Sequence, residues 1–185
     1  PNWLVLKQVE LPIEGLPENF NNLKIGLLAD FHRGAFVSDR YIANAVAILQ
    51  RTEPDIICLA GDFVEGEAKH IKSVAQVLSK LVAPLGKFAV LGNHDYWTDP
   101  KLIQAELEKY NIPVLINRAI EIKTQGDSFF VAGLDDAWEG HPDYQKALKN
   151  IPVDKMILLM VHEPDYADSI KANKFLTRFI RANLK

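Results

Sequence analysis

The sequence predicts an α/β fold with a largely parallel sheet in its first half. Short apolar runs alternate with longer amphipathic runs, which is the rhythm of strands joined by helices. Of the 185 residues, 48% are apolar and 24% are charged, the usual balance of a globular protein. The length predicts one domain, residues 1–185, that is large enough to bury its own core.

The elements follow from local patterns along the chain. Apolar runs predict strands at residues 23–29, 55–60, 87–91, 114–122, 129–133 and 156–161. Amphipathic runs predict helices at residues 41–49, 68–81, 100–110 and 144–148, and a terminal helix at residues 170–185. Ser38 or Asp39 is suited to cap the first helix, and Asp99 with Pro100 is suited to begin the third. The turn around Gly126 predicts a hairpin between the fourth and fifth strands.

Composition excludes several classes of protein. The net charge of −3 gives no electrostatic footprint for nucleic acid. No apolar run is long enough to span a membrane. Cys58 is the single cysteine, so the chain cannot form an internal disulfide. No Gly-rich phosphate loop follows any strand, which argues against an ordinary nucleotide-binding domain.

Four of the predicted strands end in polar residues that can bind metal ions. These ends are Asp30-Phe31-His32, Gly61-Asp62, Gly92-Asn93-His94-Asp95 and His162-Glu163-Pro164-Asp165. Because ligands bind beyond the carboxyl ends of the strands in an open α/β sheet, we expect the four ends to converge on one site. On an extended segment, residues two apart point to the same side, so Asp30 and His32 are expected to reach the same ion. Asp62 offers two oxygens that could bridge two ions.

Taken singly, each of these residues has a common structural interpretation. An Asp at a strand end often caps a helix or a turn, an Asn after Gly often forms a turn, and a lone His is often hydrogen-bonded at a rim. Tyr96 and Trp97 are more often packing groups than cleft residues. His70 and His141 follow no buried strand and are predicted to be surface residues. The conjunction of four such ends nevertheless favours a metal site.

The ordered series of strand ends resembles the pattern of the calcineurin-like metallophosphoesterases, from about residue 23 to residue 165. The element Gly92-Asn93-His94-Asp95 is its most specific part. The run Asp30-Phe31-His32-Arg33-Gly34 and residues 132–136 are most similar to small, often membrane-anchored bacterial phosphohydrolases. The resemblance implies a four-layer αββα sandwich with mixed sheets. It also implies a metal-dependent phosphoesterase that hydrolyses phosphomonoesters or phosphodiesters.

The resemblance also implies roles for individual residues. The implied ligands of two divalent ions, about 3.5 Å apart, are Asp30, His32, Asp62, Asn93 and His162. Asp62 would bridge the ions, His94 would protonate or stabilise the leaving oxygen, and Asp95 would orient the His94 ring. Nitrogen and oxygen ligands without thiolate suit manganese, iron, zinc or nickel better than calcium. Such ions make hydroxide available near neutral pH, and an imidazole with a pKa near ~6.5 suits proton donation.

The chain departs from the family pattern after its last predicted strand. A Gly-His-x-His element should follow, but no histidine comes after His162. We therefore expect a domain that is truncated at its carboxyl end, lacks part of the second sheet and has reduced or no activity. Three explanations for the missing histidines compete. The gene could be truncated or frameshifted, the chain could be a natural pseudoenzyme (a non-catalytic metal- or phosphate-binding module) or a one-metal variant, or His70 or His141 could replace the missing ligands.

Two expectations concern partners and location. An unpaired sheet edge favours a homodimer. The start at Pro1, together with the resemblance, leads us to expect a trimmed chain whose full-length form is membrane-associated or cytoplasmic and acts on a phosphate-ester substrate.

Overall fold

The computed structural model describes residues 3–13, 16, 18–124 and 126–166. Its strands are β1 (Ile25–Leu28), β2 (Ile56–Ala60), β3 (Lys87–Val90), β4 (Arg118–Lys123), β5 (Ser128–Gly133) and β6 (Ile157–Met160). Its helices are α1 (Asp39–Gln50), α2 (Ile71–Leu78), α3 (Asn93–Thr98), α4 (Pro100–Lys109) and α5 (Tyr144–Leu148). The predicted terminal helix at residues 170–185 lies outside the described residues.

The strands form two three-stranded sheets. The first has the order β1-β2-β3 and is parallel throughout, as the alternation of strands and helices predicts. The second has the order β4-β5-β6, with β4 antiparallel and β6 parallel to β5, so it is mixed. The predicted strand at residues 114–122 begins later than expected, because Val114 forms only an isolated bridge with Ala89 of the first sheet.

The two sheets lie face to face with helices outside them, which confirms the four-layer αββα architecture. Alternate residues of β2 point to opposite sides. Ile57 and Leu59 pack with residues of α1, α2 and α4, whereas Ile56 and Cys58 pack between the sheets with residues of β5 and β6. On the far side of the second sheet, Ala132 and Ile157 pack with α5. The continuous apolar run of β2 is thus that of a strand buried on both faces.

Helix caps place the loops that precede the helices. The Ser38 hydroxyl accepts a hydrogen bond from the Tyr41 N–H at 3.3 Å, and the Asp99 carboxylate accepts one from the Leu102 N–H at 3.0 Å. Both caps were predicted from the sequence. The predicted helix at residues 68–81 is divided into a 3₁₀ turn, Ala68–His70, and α2.

Among the residues that the structure describes, β1 lies at the edge of the first sheet. Its Ile25 and Leu27 side chains lie on the same face as the buried Ile56 and Cys58 of β2, yet each remains 44% exposed. The homodimer expected from an exposed sheet edge stays a prediction. Within the described part of the chain, no helix combines the length and the apolar character needed to cross a bilayer.

Candidate metal centre

The loops that follow β1 and β2 run side by side at one edge of the fold. The Asp30 N–H donates to the Gly61 carbonyl at 3.1 Å, and the His32 N–H donates to the Asp62 carbonyl at 2.8 Å. The loop after β6 reaches the same place, because His162 Nδ1 lies 2.6 Å from the Ala60 carbonyl oxygen. The structure therefore brings these strand ends together.

Asp62 lies at the centre of this group and its side chain is only 3% exposed. One of its oxygens, Oδ2, is 3.4 Å from His32 Nε2 and also 3.4 Å from His162 Nε2. The other oxygen, Oδ1, accepts the backbone N–H of His94 at 3.0 Å. Ligand atoms of Asp30, Asp62 and His162 all lie within 4.8 Å of one another. A cation placed among them would meet carboxylate and imidazole ligands together.

The electrostatics of His162 and Asp62 fit a cation between them. Burial disfavours the charged imidazole, but the contacts with Asp62 and with the Ala60 carbonyl raise the pKa of His162 to about 9. Burial also disfavours the Asp62 carboxylate, but the contacts with His162 and His94 outweigh it and lower the pKa of Asp62. A metal ion bound here would take the place of the proton on His162 that faces the Asp62 carboxylate. The Ala60 carbonyl contacts Nδ1 and so orients the His162 ring with Nε2 towards Asp62. Metal-binding histidines are usually oriented in this way by a hydrogen bond at their other ring nitrogen.

Glu65 belongs to the site although no sequence pattern singled it out. Its Oε2 lies 2.8 Å from Nδ1 of His32 and 2.8 Å from Nδ1 of His94. The two imidazole rings meet edge to face, with centroids 4.5 Å apart. These three side chains form a second group whose atoms could hold a metal ion. In the sequence, its position three residues after the predicted ligand Asp62 could have indicated that its carboxylate lies near the site.

Asp95 does not have the contact that the resemblance implies. It is fully buried, and Oδ2 accepts the N–H groups of Asp62 and Gly92 at 2.9 and 3.0 Å, while Oδ1 accepts the Phe63 N–H at 2.8 Å. Both oxygens thus face the backbone, whereas the ring of His94 faces a different carboxylate. Burial raises the pKa of Asp95 to about 7, against the opposing effect of these N–H groups. Asp95 fastens the loop after β2 to the loop after β3.

The backbone of the site is held in conformations that few residues adopt. Asp30, His32 and Asp62 have φ values of 56°, 41° and 55°, in the left-handed region. Non-glycine residues in this region are strained, and such strain clusters at functional sites. Asn93, the remaining predicted ligand, is buried and is the first residue of α3. Of the predicted ligands, the structure brings the side chains of Asp30, His32, Asp62 and His162 close together. The role of Asn93 stays a prediction.

Gly92 is required at this site for space rather than for conformation. Its φ of −117° suits any residue. A Cβ atom on it would lie 2.3 Å from Asp62 Oδ1 and 2.8 Å from His162 Nε2. No other residue fits there unless these side chains move.

We expect Gly92→Ala to displace Asp62 and His162, to reduce bound manganese to less than half, and to cost about 1–3 kcal/mol of stability. Elemental analysis and urea unfolding measure the two effects. Gly126→Ala is the matched control, because Gly126 has a φ of 91° but its Cβ would meet only Asn19, at 3.5 Å. We expect this control to cost about 1 kcal/mol and to keep its metal. Equal metal contents in the two variants would contradict this interpretation of Gly92.

The structure also shows where three further residues discussed from the sequence lie, namely His70, His141 and Trp97. His70 lies in the 3₁₀ turn before α2, and His141 is exposed in the loop after β5. Neither belongs to the groups of potential metal ligands among the described residues, so the structure gives no support for either as a replacement ligand. Trp97 is not a packing group, since it is 59% exposed with its ring centroid 4.6 Å from that of His94.

Curated proteins with sequences similar to this chain are named metallophosphoesterases or phosphodiesterases. An uncharacterized metallophosphoesterase of Aquifex aeolicus is 32% identical over 168 residues, covering 88% of this chain and 63% of the relative. The phosphodiesterase YaeI of Escherichia coli is 33% identical over 172 residues, covering 89% and 61%. A transmembrane protein with metallophosphoesterase domain from Bos taurus is 33% identical over 170 residues, covering 84% and 38%. The chain thus spans about two fifths to three fifths of the length of these relatives.

A solved structure shares the fold. The NAD nucleotidase NadN of Haemophilus influenzae superposes with a TM-score of 0.52 at 16% identity, over 80% of this chain and 35% of that one. The sequence profile of calcineurin-like phosphoesterases matches residues 23–183. The resemblance inferred from the strand ends is therefore confirmed, and this chain belongs to the calcineurin-like phosphoesterase family.

Proposed function

We propose that this chain is a metal-dependent phosphoesterase in which Asp62, together with His32 and His162, would hold two divalent ions. The observation that supports this most strongly is the position of Asp62 Oδ2, at 3.4 Å from Nε2 of both His32 and His162. A buried carboxylate oxygen between two imidazoles is suited to bridge two cations. Membership of the family supports the same reaction class.

The ligands and their chemistry follow from this arrangement. The proposed ligands are Asp30, His32, Asp62, Asn93 and His162. When bound, two divalent ions supply a water of lowered pKa and neutralise the charge of the phosphoryl oxygens. The neutral Asn93 amide adds no negative charge to the site. The Ala60 carbonyl and the Glu65 carboxylate hold the His162 and His32 rings from behind through Nδ1.

His94 is the proposed proton donor to the leaving oxygen. Its backbone N–H is fixed by Asp62, and its Nδ1 contacts Glu65. Nε2 is therefore the nitrogen that we assign to the substrate. Glu65 takes the orienting role that the resemblance assigned to Asp95, because its carboxylate rather than that of Asp95 contacts the ring.

We expect Glu65→Gln to lower kcat by about 10- to 100-fold with little change in KM, because the amide holds the two rings less strongly than the carboxylate. The measurement is steady-state hydrolysis of bis(p-nitrophenyl) phosphate with Mn²⁺. Glu67→Gln is the matched control, since Glu67 is exposed and pairs with Lys69. A kcat that falls equally in both variants would remove Glu65 from the mechanism.

The proposed function itself is tested by metal dependence. Purified protein with Mn²⁺ should hydrolyse bis(p-nitrophenyl) phosphate or p-nitrophenyl phosphate, EDTA should abolish hydrolysis, and added Mn²⁺ should restore it. Protein that binds the metal but turns over neither ester would instead be a non-catalytic metal-binding module. The Bos taurus relative, named a transmembrane protein with metallophosphoesterase domain, supports a second proposal, that the protein carrying this domain works at a membrane. Fractionation of the source cells tests that location.

A further inference from the structure

We propose that Trp97 forms the subsite for the leaving group, and that the site favours phosphate esters whose alcohol carries a planar or apolar ring. This inference rests on the proposed function, in which His94 faces the leaving oxygen. It adds a residue and a substrate class to that function.

The position of Trp97 next to His94 is fixed by the short helix α3. The two residues lie three positions apart, so their side chains meet on one face of the helix. The ring centroids are 4.6 Å apart and the planes are tilted by 56°. The first turn of the helix is anchored to the site, because the Asp95 carboxylate accepts the Gly92 N–H and Asp62 accepts the His94 N–H. The contacts that fix His94 in the site therefore also fix the position of Trp97.

The direction of the reaction places the leaving group beside Trp97. In hydrolysis, water adds to phosphorus, the bond from phosphorus to the leaving oxygen breaks, and His94 gives that oxygen its proton. The alcohol attached to the oxygen then extends past the imidazole. The neighbouring surface is the indole of Trp97, which is 59% exposed and presents an open aromatic surface.

An open indole beside the reacting bond favours a ring over a short alkyl group. Stacking of a planar ring on an aromatic side chain changes affinity by about tenfold or more, as alanine substitutions show. A short alkyl group covers little of the indole and gains little. Trp138 offers the matched control, because it is also strongly exposed, at 71%, but lies in the loop after β5.

The test uses the 185-residue chain loaded with Mn²⁺ in four forms: unchanged, Trp97→Ala, Trp97→Phe and Trp138→Ala. Calorimetry measures the affinities of benzylphosphonate and ethylphosphonate, which cannot be hydrolysed. Phosphate release measures kcat/KM for benzyl phosphate and ethyl phosphate. We expect Trp97→Ala to weaken benzylphosphonate binding about tenfold and ethylphosphonate binding less than twofold. Trp97→Phe should recover most of the loss, and Trp138→Ala should match the unchanged protein.

The outcomes separate this proposal from the proposed function. If Trp97→Ala weakens both phosphonates equally, or neither of them, the subsite is overturned even where the esters are hydrolysed. If the preference for the ring depends on Trp97 while neither ester is hydrolysed, the subsite is supported and the proposed function fails for these esters. Equal loss of kcat/KM for both esters, with unchanged phosphonate binding, would mean that Trp97 only supports His94, and this would also overturn the subsite.

Discussion

Asp62→Asn should remove the metal ions from the site and lower hydrolysis of bis(p-nitrophenyl) phosphate by about 10³-fold or more. The reason is charge, because the carboxylate lies buried between two imidazoles, with Oδ2 at 3.4 Å from each Nε2. The amide has nearly the same shape but no negative charge with which to bridge two cations. Elemental analysis and initial rates with Mn²⁺ measure the two effects.

The control for Asp62→Asn is Asp154→Asn, which removes an exposed carboxylate from the loop before β6. This control should retain its metal and its rate. An Asp62→Asn protein that keeps two ions per chain would contradict the proposed bridging role. Circular dichroism of both variants should match that of the unchanged protein, since neither substitution alters a packed apolar group.

Asp95→Asn should destabilise the fold by about 2–4 kcal/mol. Its carboxylate is fully buried and accepts three backbone N–H groups, from Asp62, Phe63 and Gly92. An amide in its place loses the charge and turns an N–H₂ group towards at least one of these donors. Urea unfolding monitored by tryptophan fluorescence measures the loss.

Asp143→Asn is the matched control for Asp95→Asn. Asp143 caps α5 by accepting the Lys146 N–H at 2.9 Å, and Asn caps helices about as well as Asp. Its stability should change by less than about 0.5 kcal/mol. If Asp95→Asn instead kept full stability and lost only kcat, the carboxylate would act on His94, as the resemblance implied.

Much of the fold could be predicted from the sequence because the local residue patterns of its strands and helices agree with the way these elements are buried and capped in the structure. The unbroken apolar run of β2 matches its burial on both faces, and the caps at Ser38 and Asp99 begin helices where expected. α3 was missed, because Gly, Asn, His and Asp are poor helix formers. Tertiary contacts outweigh that weak propensity, since the Asp95 carboxylate in the first turn of the helix accepts the N–H groups of Asp62 and Phe63 in the loop after β2.

The candidate site was predictable in its residue types but not in its contacts. Metal-binding side chains at strand ends converge because parallel strands share an edge. The role of Glu65 depends on the turn at Asp62, whose φ of 55° redirects the chain after β2. No sequence pattern specified that turn. For the same reason the sequence could not distinguish an Asp95 that contacts His94 from one that binds the backbone.

In the proposed site, two metal ions would share the Asp62 carboxylate. Crystals grown with Mn²⁺ and measured at the manganese absorption edge locate those ions directly. We expect two anomalous peaks about 3.5 Å apart, both in contact with the Asp62 carboxylate and flanked by His32 and His162. A single peak, or peaks that do not touch Asp62, would contradict the proposed two-metal phosphoesterase.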